Sequence, residues 1–147
     1  KEYGKALPAL RKAVQYQPDN AQAHLYEGAC LRIAGDHEQA KAAFLKAAKL
    51  DPKSAEALKQ SGLSLLLDAQ SLQQAGKHEQ SQQQAEQAVG YLQRAVAIKA
   101  DVQARVWLAQ GYALSRQLDK AREEFNRVLK MDPANADARS GLERVQG

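Results

Sequence analysis

The sequence predicts an all-α chain of stacked antiparallel helix pairs, and three observations carry that prediction. Strong helix formers, above all Ala, Gln, Leu, Lys and Glu, dominate the composition, while the strand-favouring Thr is absent. An interval of twelve residues from an alanine to a proline recurs three times, from Ala6 to Pro18, from Ala40 to Pro52 and from Ala121 to Pro133. A turn is also repeated almost residue for residue: Gly35-Asp36-His37-Glu38-Gln39-Ala40 returns as Gly76-Lys77-His78-Glu79-Gln80-Ser81. Proline cannot continue a helix, so each interval reads as a helix with a fixed stop.

The elements follow in order. A first helix runs from Tyr3 to Gln17 and carries Leu7, Leu10, Ala13 and Val14 along one side. Pro52 follows Pro18 by 34 residues, which is room for a helix from Ala21 to Ala34, a Gly35-Asp36 turn and a second helix from Glu38 to Leu50. Gly35 supplies the left-handed conformation that ends a helix, and the small Gly28, Ala40 and Ala47 allow close approach of the pair. From Pro52 to Pro133 there are 81 residues, two such periods plus 13, so the middle unit is enlarged. Its Gly76 turn arrives seven residues late, and so does its second packing set of Leu92, Ala95 and Ile98. Both arms have therefore grown by two turns, giving one elongated hairpin that projects about 10 Å. The division is a single domain, 1–147: a trailing helix (3–20), a unit (21–54), the enlarged unit (55–101), a unit (102–135) and a capping helix (136–147).

The 34-residue period, with Ala40 leading to Phe44 and Pro52, and Ala121 leading to Phe125 and Pro133, resembles the tetratricopeptide repeat over nearly the whole chain. The resemblance implies a right-handed superhelical solenoid whose first helices line a concave groove. This sequence departs from the family pattern where His24, Glu27 and Arg105 replace large apolar residues. His24 and Glu27 share a helical face, within reach of a hydrogen bond that would satisfy both.

Projected onto this sequence, the groove wall that the family implies consists of Leu25, Tyr26, Ala29 and Ile33, then Lys59, Gln60, Leu63 and Leu67, then Val106, Trp107, Gln110 and Leu114. Ser140 and Arg144 follow. Tyr26 and Trp107 are read either as binding anchors or as interhelical packing, since large rings serve both ends. Some family members clamp chaperone C-terminal carboxylates with lysines, asparagines and an arginine; here Leu25, Ala29, Gln60, Gln103 and Trp107 stand on that wall. An acidic chaperone tail is thus not expected there, and an apolar or amphipathic segment is.

Other classes find little support. The net charge of +4 comes from 21 basic and 17 acidic residues interleaved along the chain, which is a solvated helical surface rather than a nucleic-acid-binding stripe. No apolar run approaches a membrane span of about 20 residues, and the compartment cannot be read. The nine glycines stand singly, so no phosphate loop is formed. His37 and His78 recur with the repeat, and Cys30 is the only cysteine. It lies six residues past His24 and well off its face, so no catalytic residue, metal site or cofactor is expected.

Two functional readings remain open. One is a non-catalytic scaffold binding a peptide or partner segment in the groove. The other is a structural or self-assembly segment of a longer solenoid within a secretion, envelope or cytoskeletal complex. The chain starts in mid-pattern, so an exposed stripe on the first helix is expected, with homodimerisation through that open end. The glutamine-rich hairpin (Gln70, Gln73, Gln74, Gln80, Gln82, Gln83, Gln84, Gln87) is either a docking or self-association element or a length variant with a solvated face.

Overall fold

The computed structural model describes residues 2–146, with side chains from Gly4 onward. Lys1 and Gly147, the outer limits of the sequence division, lie outside the described residues. Eight helices follow one another: α1 (Glu2–Tyr16), α2 (Ala21–Ile33), α3 (His37–Leu50), α4 (Ala55–Gln74), α5 (His78–Ile98), α6 (Val102–Leu114), α7 (Leu118–Met131) and α8 (Ala136–Gln146). No strand occurs among the described residues. Neighbours in sequence are neighbours in space, and in addition α4 lies against α6 and α6 against α8. The helices therefore form two layers, α2, α4, α6 and α8 on one side and α3, α5 and α7 on the other. At 20 and 21 residues, α4 and α5 exceed the 13 and 14 residues of α2 and α3 by two turns each.

The starts and stops of the helices have local causes. Asn20, Asp36, Ser54, Asp101 and Asn135 each accept a hydrogen bond from the amide three residues ahead, at 2.7–3.1 Å, so one orphan donor of each first turn is satisfied. At the other ends, α2, α4 and α6 close in the same way. The residue after the cap takes a positive φ: Gly35 at 89°, Gly76 at 78° and Arg116 at 64°. The amide of the next residue then reaches back five positions, Asp36 to Leu31, Lys77 to Leu72 and Gln117 to Tyr112, at 2.8–2.9 Å.

Two adjoining apolar clusters hold the pairs together. One gathers Leu25, Leu31, Phe44, Ala47 and Leu58; the other Leu65, Leu66, Leu92, Val106, Phe125 and Val128. The backbone at two glycines is tailored to this packing. A Cβ on Gly28 would meet the Phe44 ring at 2.8 Å, and one on Gly62 would meet Leu92 at 2.5 Å. Phe44 and Leu92 are thus seated on the bare backbone of α2 and α4. Ser81, fully buried, donates to the Ala69 carbonyl at 2.7 Å and ties the two long arms near their turn.

The His24–Glu27 pair does not form. The His24 ring nitrogen lies 2.8 Å from the Pro18 carbonyl, bonding back into the preceding turn, while Glu27 Oε2 is buried with no hydrogen-bond partner among the described residues. The turn carbonyl lies within reach of the imidazole without the ordering of a second long side chain, which favours it over Glu27.

Candidate partner-binding site

The layer of first helices is not a continuous wall. Between α2 and α4 it opens into a hollow of about 500 Å³ lined by Leu25, Tyr26, Ala29 and Ile33 on one side and by Ser54, Glu56 and Gln60 on the other. Leu25 forms part of the floor at 8% exposure, whereas Tyr26 and Ile33 stand 54% and 57% exposed. Large apolar side chains held open on a rigid helix are ready to release water on contact, at little cost in rotamer freedom.

The back of this hollow is closed by a residue the sequence did not single out. The Arg32 guanidinium lies 4.5 Å from the centre of the Phe44 ring, and it donates to Ser64 Oγ at 2.7 Å, to the Gln60 carbonyl at 3.3 Å and to Gln60 Oε1. Burial pushes its pKa down, with Glu56 opposing. Three of its five N–H donors go to α4, so Arg32 ties α2 to α4. A charged residue in a helical stretch reads as solvated surface, and nothing local in the sequence marks Arg32 as different.

The remaining predicted wall residues fall elsewhere. Lys59 is engaged: it bonds Glu56 at 3.2 Å and Asp101 at 3.3 Å, clamping α4 to the start of α6. Desolvation pulls the Lys59 pKa down, but Glu56 and Asp101 outweigh it and raise it. The Asp101 pKa moves the other way: burial would raise it, but the Ala104 amide and Lys59 overcome that and lower it. Leu67 lines a second hollow with Arg32, His37, Ser64 and Asp68. There Lys41 reaches Asp68 at 2.6 Å, and that bond, more than any other influence, raises its pKa. Leu63 is half-buried. Gln110 and Leu114 line a third hollow beneath Gln70, Gln73 and Gln74 of the long arm, with Ser140 and Arg144 opposite.

One member of the predicted wall is corrected, and a second is more covered than its position suggests. Val106, at 1% exposure, belongs to the core and offers nothing to a ligand. Trp107 is half-buried and packs against the apolar cluster that contains Val106. Val106 is buried as its counterpart Leu25 is, whereas Trp107 is more covered than its counterpart Tyr26 because α6 is flanked by both α4 and α8.

With this geometry in hand, comparison with known proteins decides the family. A family model described as tetratricopeptide repeat matches residues 2–55 and 66–136. The chain belongs to the tetratricopeptide repeat family. No curated protein matches it, but solved structures do. The MamA fragment from Desulfovibrio magneticus RS-1 is 24% identical, with a TM-score of 0.79, over 97% of this chain and 73% of that one. The second tetratricopeptide domain of human RPAP3, solved in complex with the HSP70 peptide SGPTIEEVD, is 17% identical with a TM-score of 0.69, over 86% and 95%. The Arabidopsis OM64 domain is 16% identical with a TM-score of 0.69, over 85% and 93%. At these identities the likeness speaks for the fold, a right-handed solenoid of helix pairs.

Proposed function

We propose that this domain is a non-catalytic scaffold that seats an apolar or amphipathic segment of a partner protein in the hollow between α2 and α4. The observation that carries the reading is the exposure of Tyr26 and Ile33 above a floor containing Leu25. Such a step of ring, aliphatic chain and floor fits one or two large apolar side chains of a guest, with Glu56 and Gln22 at the rim to bond its backbone. The RPAP3 domains solved with HSP70 and HSP90 peptides support a peptide as guest for this fold. The chemistry differs here, since Lys59 is bound by Glu56 and Asp101 and is not free to clamp a carboxylate.

The test is recovery of interacting proteins with the wild-type domain and with Tyr26→Ala/Ile33→Asp. Both positions are exposed, so the variant folds, which circular dichroism verifies. A partner lost selectively from the variant is the expected result. Identical partner sets from the two would overturn the proposal.

A further inference from the structure

The second-helix layer has an opening of its own. Between α3 and α5 a hollow of about 640 Å³ is lined by Leu45, Lys46, Lys49 and Pro52 from one side and by Tyr91 and Arg94 from the other. Its floor is apolar, with Leu45 and Tyr91 half-buried, and its rim is cationic, with Lys46, Lys49 and Arg94 exposed. None of the lining residues is acidic, and among the described residues none of the three cations is in an ion pair. Arg94 is held over the Tyr91 ring, 5.7 Å from its centre. Asp51, the acid nearest in sequence, is turned into the α3–α4 turn, where it accepts from the Lys53 amide at 3.2 Å.

The repeat supplies an internal comparison. Leu92 and Phe125 hold the same buried place in α5 and α7, so Tyr91 and Arg94 correspond to Glu124 and Arg127. In α7 the acid is present and Arg127 donates to it at 2.5 Å. In α5 the acid is replaced by a ring, and the cation is left to the solvent. A charge that the next repeat neutralises internally is thus presented outward here, beside two lysines and an apolar floor.

We infer that the α3–α5 seam is a second docking surface, on the opposite layer from the α2–α4 hollow, for an acidic protein segment carrying a large apolar side chain. The apolar side chain enters against Leu45 and Tyr91, and flanking carboxylates pair with Lys46, Lys49 and Arg94, so attraction and desolvation are supplied by one seam. A protein segment fits better than an anionic lipid surface. The cations surround a recess between two helices rather than a plane, and the same helices expose Glu38, Glu79 and Glu86, which would repel an anionic sheet.

The experiment uses a fluorescein-labelled peptide, Glu-Asp-Glu-Leu-Phe-Asp-Glu-Glu, a control with every acid replaced by its amide, and vesicles of phosphatidylserine and phosphatidylcholine. Binding is followed by anisotropy and mapped by amide chemical shifts. The acidic peptide is expected to bind, to move amides of residues 42–52 and 90–94, and to weaken about tenfold with Lys46→Glu/Arg94→Glu. Lys49→Ala, a milder change, weakens it less, and the amide control does not bind. Several results would overturn the inference: no binding of the acidic peptide, equal binding by the charge-reversed variant, shifts confined to α2 and α4, or vesicle binding without peptide binding. Tyr26→Ala leaves the anisotropy unchanged if the two surfaces are separate, and its loss of binding would count against the assignment.

Discussion

Replacing Arg116 by glycine stabilises this protein, and the size of the effect follows from the three matched helix ends. Gly35, Gly76 and Arg116 close α2, α4 and α6 with positive φ and the same pair of backward amide bonds. Only Arg116 carries a Cβ there. The left-handed conformation costs a residue with a side chain about 1–2 kcal/mol, and Arg116 is exposed, so nothing seen offsets it. Glycine gives back about 0.5–1 kcal/mol through its freer unfolded chain. The net gain for Arg116→Gly is therefore about 0.5–1 kcal/mol, which for a chain of this size raises Tm by about 1–4 °C. Urea unfolding followed by circular dichroism reads the gain, and amide exchange locates it at the α6–α7 junction. The reciprocal Gly76→Ala, whose Cβ meets open space, loses about the same 0.5–1 kcal/mol. Unchanged or lowered stability in Arg116→Gly, together with a neutral Gly76→Ala, would refute the reasoning that strain resides at this position.

Three further outcomes follow from the same structure. Lys77 starts α5 with backbone angles close to those of Asp36 but no side-chain cap, so Lys77→Asp adds a cap bond worth about 1 kcal/mol, checked by urea unfolding. Asp101 has a lowered pKa in the fold; its contribution is present above the ordinary carboxylate value of 3.8 and is lost as pH falls through the lower folded value. Asp101→Asn, which keeps the cap but not the ion pair with Lys59, therefore costs about 0.2–1 kcal/mol at neutral pH and shows a flatter acid limb in a pH series of Tm. Pro8 lies inside α1 and is exposed, where it removes a helix bond that Ala42 keeps at the matching place in α3; Pro8→Ala should gain up to about 3 kcal/mol, seen as slower amide exchange confined to α1.

Much of this architecture was legible because the signals were local. Pro18, Pro52 and Pro133 mark stops, Gly35 and Gly76 mark left-handed turns, and Phe44 and Phe125 mark the packing position of second helices, so the period could be counted and the seven-residue delay of Gly76 noticed. Arg116 hid the third turn, because its residue type gives no sign of a positive φ. The binding wall was harder to read, since exposure depends on how far neighbouring first helices splay. Trp107 and Tyr26 stand at the same place in the repeat, yet Trp107 is half-buried and Tyr26 exposed, because α6 is covered by both α4 and α8. Arg32 was illegible for a related reason: its partners, Gln60 and Ser64, belong to another repeat and are brought to it only by stacking.

Site-specific photo-crosslinking to a partner recovered by the wild-type domain tests the central claim most directly. A photoreactive residue placed at Tyr26 or at Ile33, within the α2–α4 hollow, is predicted to capture that partner through an apolar or amphipathic segment. The same residue at Asp119, 93% exposed at the start of α7, should not. Capture from position 119 alone, with none from 26 or 33, would contradict the account.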